Sequence, residues 1–354
     1  SNKMLLFLAL LLGIAAFRQC KGFLLRKWPA SVTRMDQQRS LQVHLRLHQL
    51  RMRSVGFGVP VAPSPASVDN QIDSLMRKAI KRTKSALLLE GDNDAIEDQF
   101  WSFMDKALAL EFAAKELKRF RLFVEMQRGL REVPKDVYVE PYRGKMHSYF
   151  PGLTAQPFWE ADEFPWIKEL ESAYPKIREE YLALLEAGQR HDSVTGINYE
   201  SGWSSLQLWR NGRPVDGFPL YLCPTLARLL ESIPVAQRIC VGFNRQKPHS
   251  GIPLHVDGNN LMLTTQLGVL VPTSEDGGHY PAWIRVGAEK RHWQPGRALV
   301  YDTTFQHETF NPTDDERHVL HIDFWHKDLT AAERRAIERL YTLREMFLEA
   351  VDEI

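Results

Sequence analysis

Cysteine is scarce, with three in 354 residues. That is too few for a disulfide framework. Cys20 sits near the front of the chain, which leaves Cys223 and Cys240 either to pair in an oxidising lumen or to stay as buried thiols. The sequence also lacks an HExxH helix, a paired-cysteine zinc pattern, a glycine-rich phosphate loop and any internal repeat. An excess of either charge is missing too. Lys and Arg number 45 against 44 Asp and Glu, for a net charge of +1, which gives no case for nucleic acid as a partner.

Long apolar runs are confined to one place. Met4 to Phe17 reads MLLFLALLLGIAAF, preceded by Lys3. It is shorter than the roughly 20 residues of a spanning helix and has the order of a secretory signal. Residues 1–22 are therefore expected to be a cleaved signal peptide, with an uncleaved signal anchor as the alternative; a membrane enters only in that second case. From Arg18 to Arg53, nine Lys or Arg stand against the single acid Asp36. Such a segment after a signal resembles a transit peptide or a disordered basic linker, so the expected compartment is the secretory pathway and its lumen, or a complex plastid. VPVAPSPAS, Val59 to Ser67, reads as a Pro/Ser linker that closes the leader at 67.

Beyond the leader the chain is long enough to bury a sizeable core, the whole being 44% apolar. Helical spacing predicts a helical region over 68–150, with one helix from Val68 to Leu89 and a longer one from Ala95 to Gly129 that carries Phe100, Met104, Leu108, Phe112 and Phe123. Glu163 to Ala187 is a further amphipathic helix, and Thr225 to Ser232 a short one. Thr330 and Glu333 form a capping box that opens a last helix, 330–351. Between these, short runs rich in β-branched and aromatic residues are separated by turns at Asp257-Gly258, Asp276-Gly277-Gly278 and Pro295-Gly296. The expected fold is a mainly β core over 151–354, a double-stranded β-helix of jelly-roll or cupin type, with flanking α-helices on its N-terminal and C-terminal sides.

Four residues in that core carry the chemistry. His255 and Asp257 stand two apart in LHVDGNN, His307 lies further along in TFQHETFN, and Arg317 is ten residues beyond it in DDERHVLH. Side chains at i and i+2 of a strand project the same way, so His255 and Asp257 can grip one ion. With His307 they make the two-histidine, one-carboxylate set that holds non-haem Fe(II) and leaves positions open. A guanidinium suits bidentate clamping of a carboxylate, which an oxygenase using 2-oxoglutarate requires. The plainer reading is a hydrogen-bonded core histidine and an Arg paired with Asp314 or Glu316. On the strand of Arg317, Val319, His321 and Asp323 share its face. His321 is thus a candidate neighbour of a cosubstrate, or a satisfied interior histidine. His249, His279, His292 and His326 have no comparable spacing and read as surface or structural.

At these residues the chain resembles the aspartyl/asparaginyl β-hydroxylase family of 2-oxoglutarate oxygenases, which includes lipid A hydroxylases. The resemblance runs from about Pro151 to Leu340 through GLTAQPFWEADEFPWIKELE, CPTLARLLESIP, LHVDGNN, TQLGVLVP, IRVGAEKRHWQPG, LVYDTTFQHETFN and DFWHKDLTAAERR. It implies Fe(II) on His255, Asp257 and His307, with 2-oxoglutarate and O2 as cosubstrates and Arg317 as the cosubstrate anchor. It also implies hydroxylation of an unactivated C–H bond, on the β-carbon of Asp or Asn in a protein or peptide, or on a lipid acyl chain. Where the family has an Arg and a His ahead of the Leu-Gly pair, both of which help hold the cosubstrate, this chain has Thr264 and Gln266, which the resemblance places at a differently arranged cosubstrate site. Asn244 falls where the animal enzyme uses a Ser, and an amide can donate the same hydrogen bond. The missing Arg and His keep open a non-catalytic metal-binding module on the same shell, and because His and Asp also suit zinc, a zinc-dependent cupin hydrolase or isomerase is a second alternative.

Overall fold

A computed structural model describes residues 65–90, 95–138, 143–144, 146, 148–192, 202–210, 213–233 and 241–352. The apolar run Met4–Phe17, the basic segment Arg18–Arg53, the start of the Pro/Ser linker, Cys20 and Cys240 lie outside the described residues. Among the described residues, no helix is long and apolar enough to cross a membrane. Chain contacts divide the molecule into two units, one of Phe23–Glu111 with Val351–Ile354 and one that includes Phe112–Ala350.

In the first unit, helices α1 (Pro65–Glu90) and α2 (Ala95–Glu111) pack on each other. Pro65 to Ser67, expected in the linker, instead open α1. Proline is tolerated in a first turn, where its missing N–H would have no partner anyway. The expected helix from Ala95 to Gly129 is broken into α2, a 3-10 turn over Ala114–Leu117 and α3 (Lys118–Gln127). The break holds because the Glu116 carboxylate accepts from the Ala113 N–H at 2.9 Å and caps the new start locally.

The second unit begins at Phe112, well ahead of the expected domain start at 151, because residues 112–150 are tied into it. Asn260 bonds both the N–H and the C=O of Phe150, at 2.7 and 2.9 Å. Arg119 forks onto Glu333 at 2.9 and 2.6 Å. Glu333 also completes the expected capping box, accepting from the Thr330 N–H at 2.9 Å while Thr330 Oγ1 accepts from its own N–H at 3.2 Å. The expected helix over Glu163–Ala187 is two, α4 (Pro165–Ser172) and α5 (Tyr174–Glu186). Pro175 disfavours helical backbone at the residue before it and brings no N–H, so one helix ends and another begins there. Helices α6 (Pro224–Ser232) and α7 (Ala331–Asp352) fall where the sequence puts them.

Among the described residues, ten strands form two antiparallel sheets: β1 (Phe158–Trp159), β2 (Trp203–Arg210), β3 (Arg213–Pro214), β4 (Val241–Gln246), β5 (Met262–Leu270), β6 (Trp283–Val286), β7 (Glu289–His292), β8 (Ala298–Tyr301), β9 (His307–Phe310) and β10 (Arg317–Trp325). The larger sheet runs β1-β8-β5-β10-β4-β2-β3 and the smaller β7-β6-β9. On the large sheet's outer face Leu263, Leu267, Val300, Leu320, Ile322 and Phe324 pack against Ile167, Ile177, Leu184 and Leu226 of α4, α5 and α6. On its inner face Phe158, Tyr301 and Val319 meet Ile284 and Val286 of β6, together with Trp293 and Phe305, so an apolar core joins the two sheets. The result is the expected double-stranded β-helix with flanking helices.

Candidate active site

The inner face of the large sheet is unusually polar for a barrel interior. Period-two alternation puts Arg317, His321 and Asp323 of β10 on it, with Asn244 of β4 opposite Val319, Gln266 of β5 opposite His321, and Thr264 opposite Asp323. Asn244, Thr264, Gln266 and Arg317 are all buried.

The three metal-ligand candidates come together at the other side of that interior. His255, Asp257 and His307 each offer a ligand atom within 4.8 Å of the other two. His307 begins β9, and the segment before β5 runs alongside it: the His255 N–H donates to the His307 C=O at 3.0 Å and the His307 N–H to the His255 C=O at 2.9 Å. Gly251 makes this approach possible, since a Cβ there would stand 2.0 Å from the Thr309 carbonyl oxygen. Asp257 is held by its own N–H, which donates to Thr303 C=O at 2.9 Å.

Each imidazole is oriented in the same way. Nδ1 of His255 meets the Pro253 carbonyl at 2.8 Å, and Nδ1 of His307 meets the Phe305 carbonyl at 2.9 Å. A carbonyl only accepts, so Nδ1 carries the proton in both rings and the Nε2 lone pairs are free for a metal. Burial, then the neighbouring His255, depress the pKa of His307 to about 4, so it is neutral at physiological pH.

Arg317 is 2% exposed, and its Nε and Nη1 have no hydrogen-bond partner among the described residues. The acids expected as its alternative partners are engaged elsewhere: Asp314 with His249 at 2.7 Å, and Glu316 with Arg245 and His318 at 3.4 Å. Its guanidinium lies over the Trp293 ring, Cζ 4.1 Å from the centroid. Burial lowers its pKa to about 10, which still leaves it cationic at neutral pH. A buried cation with unused donors is costly by several kcal/mol; a carboxylate set against one edge of the guanidinium reduces that cost.

Two interior residues had no sequence signal beyond strand alternation, Trp293 and Tyr301. Tyr301 is paired with Thr264 across β5 and β8, and its ring centroid stands 6.3 Å from that of His307. Burial, then Asp323 and Asp257, raise its phenol pKa well above the usual value, so it stays a neutral hydroxyl. The remaining sequence candidates meet each other rather than solvent: Thr264 donates to Asp323 at 2.6 Å and Gln266 bonds His321 at 3.2 Å. Cys223 is a buried free thiol, its pKa pushed up to about 12 by burial. Of the four histidines without a spacing argument, His326 is buried and bonds the Thr154 carbonyl, a structural role.

Residues 171–327 match the family profile described as aspartyl/asparaginyl beta-hydroxylase. The chain is 28% identical over 194 residues to the human aspartyl/asparaginyl beta-hydroxylase, covering 52% of this chain and 25% of that protein. It is 31% identical over 175 residues to the ornithine lipid ester-linked acyl 2-hydroxylase of Rhizobium tropici, covering 48% of this chain and 60% of the relative. It thus spans between a quarter and three fifths of the length of these relatives. Among solved structures, a prolyl hydroxylase from Trichoplax adhaerens aligns over 46% of this chain and 81% of its own, at 15% identity and a TM-score of 0.34. His255, Asp257, His307 and Arg317 all lie inside the stretch that matches the aspartyl/asparaginyl beta-hydroxylase profile.

Proposed function

We propose that this protein is an Fe(II)- and 2-oxoglutarate-dependent dioxygenase that hydroxylates an unactivated C–H bond. The observation that carries the reading is Arg317, a buried cation with two unused donors, in the same interior as a two-histidine, one-carboxylate cluster. That donor set, with both Nε2 atoms free, suits Fe(II) with open positions. The unsatisfied guanidinium suits the far carboxylate of a dicarboxylic cosubstrate.

His255, Asp257 and His307 would hold the metal, and Arg317 would pair the distal acid, with Trp293 beneath it fixing the plane of the fork. Fe(II), 2-oxoglutarate and O2 bound together supply an oxidative decarboxylation that leaves succinate and CO2 and places one oxygen atom in the C–H bond. The chain's task is orientation and exclusion of water, for which Ile284, Val286, Val319 and Phe305 line the space between the sheets. Tyr301, held neutral, keeps its proton throughout.

The names of the relatives support two substrate classes, an Asp or Asn side chain of a protein or peptide and a lipid acyl chain. Localisation in a secretory lumen or plastid is part of the proposal and rests on the N-terminal sequence alone. The test is succinate release by apo-protein given Fe(II), O2 and 2-oxoglutarate, abolished in His255→Ala and His307→Ala. Unchanged turnover in either variant removes the assignment, and oxygen-independent turnover with zinc replaces it with hydrolase or isomerase chemistry. Mass spectrometry of host protein and lipid fractions for one-oxygen products then separates the substrate classes.

A further inference from the structure

The solvent face of α1 concentrates positive charge that the fold itself leaves unanswered. Arg77, Lys78, Lys81, Arg82 and Lys84 follow one another closely, and after Asp73 the next acid is Glu90. At 3.6 residues per turn, Arg77, Lys81, Lys84 and Leu88 make one row along the helix, and Lys78, Arg82 and Ser85 make the row beside it. Ile72, Ala79 and Thr83, on the opposite side, are buried. Both rows are thus turned to solvent: Arg77, Lys78, Lys81, Arg82 and Ser85 are exposed, Lys84 is half-buried and Leu88 is 69% exposed. None of the five cations is in an ion pair with a described residue. Arg77 with Lys81, and Lys78 with Arg82, are like charges one turn apart, an arrangement that weakens a helix. The cluster lowers stability and gains nothing within the fold.

We propose that this face of α1 docks the protein on an anionic bilayer surface. From Arg77 to Lys84 the helix axis advances about 10 Å, roughly one Debye length at physiological salt, so the five cations act on a charged plane together. A bilayer also suits the apolar part of the face. Ile80 and Leu88, with Arg77, Lys81, Lys84 and Ser85, line a cleft of about 480 Å³. Long cationic stems lie along acyl surface while their heads stay among the phosphates, and a leucine between them enters the interface. Nucleic acid fits less well, because α1 has no aromatic side chain on which a base could stack. An acidic polypeptide would answer the charges and leave Leu88 without a partner. Because α1 lies outside residues 171–327, the inference is independent of the dioxygenase reading. It is equally independent of whether the apolar run Met4–Phe17 is retained.

The test is sedimentation of the full-length protein with vesicles of phosphatidylcholine alone and of equimolar phosphatidylserine and phosphatidylcholine. The apolar run and the basic segment Arg18–Arg53 can add binding of their own, so wild type is compared with Lys78→Gln, Lys81→Gln and Arg82→Gln combined. On phosphatidylserine vesicles the variant is expected to bind at least roughly tenfold more weakly. The difference should shrink as salt rises and be absent on phosphatidylcholine alone. The variant's melting temperature should hold or rise, because like-charge pairs have been removed, which separates lost docking from lost folding. An environment-sensitive dye on Ser85→Cys reports from α1 itself, in a chain that also carries Cys20→Ser and Cys240→Ser, Cys223 being buried. Its emission should shift to the blue with phosphatidylserine vesicles only. Equal affinity of wild type and variant for those vesicles, or a dye that does not respond, overturns the proposal. So does binding to single-stranded DNA or polyglutamate that the variant loses and that matches or exceeds vesicle binding, which would assign the face to a nucleic acid or an acidic polypeptide.

Discussion

The guanidinium of Arg317 lies on the indole of Trp293, Cζ 4.1 Å above the ring, and the ring supplies attraction without consuming a single N–H. The fork is thereby fixed in position while Nε and Nη1 stay open. Arg317→Ala should leave metal binding intact and raise the half-saturating concentration of 2-oxoglutarate on the order of 30- to 100-fold, the worth of a buried charge-assisted pair. Arg317→Lys should recover only part of this, because a point charge cannot fork. Trp293→Leu should cost several-fold. Steady-state kinetics check all three; a change of under about threefold in Arg317→Ala would mean that the cosubstrate is held elsewhere.

Gly251 sets how close the His255 segment comes to β9. With a Cβ only 2.0 Å from the Thr309 carbonyl oxygen, Gly251→Ala must push residues 250–255 outward. The paired main-chain bonds between His255 and His307 should lengthen or break. Metal affinity is expected to fall by at least roughly tenfold while the fold persists, since ligand placement depends on that pairing. Metal titration paired with circular dichroism tests this. Unchanged affinity would show that His255 is placed by other contacts.

A second histidine pair lies outside the site, on the helix-covered side of the sheet. The Tyr181 hydroxyl bonds His191 Nε2 at 3.0 Å and His318 Nδ1 at 2.7 Å. Burial depresses the pKa of His191 to about 4 and of His318 to about 3, with Arg245 adding to both. In the unfolded chain both titrate near 6.5. The folded values lie below the unfolded ones, so the unfolded state binds more protons between about pH 4 and 6.5, and stability is full above that window and lost as pH falls through it. The melting temperature should drop between pH 7.5 and pH 5, for a loss on the order of 2 kcal/mol. His318→Leu should flatten that slope. An equal slope in the variant would remove these rings as its cause.

Much of the site was legible because its signals are local. The i, i+2 spacing of His255 and Asp257 and the alternation along β10 translate directly into shared faces, and the Thr330–Glu333 box is a rule of three-residue spacing. Helix ends were less legible. The Pro175 break and the Glu116 cap each interrupt a periodicity that continues through them, and one local contact decides the outcome. The roles of Trp293 and Tyr301 do not follow from their spacing because they come from cross-sheet packing. The pairing of Gln266 with His321 depends on the register between β5 and β10, which likewise becomes visible only when the strands are laid side by side.

That His255, Asp257 and His307 hold a metal on which a dicarboxylate anchored by Arg317 can chelate is tested most directly by anaerobic titration of Fe(II)-loaded protein with 2-oxoglutarate. The expected result is a visible charge-transfer band that saturates with the cosubstrate, disappears in His307→Ala and needs far more 2-oxoglutarate in Arg317→Ala. A colourless titration of correctly folded, iron-loaded wild-type protein would contradict it and leave a metal-binding shell without this chemistry.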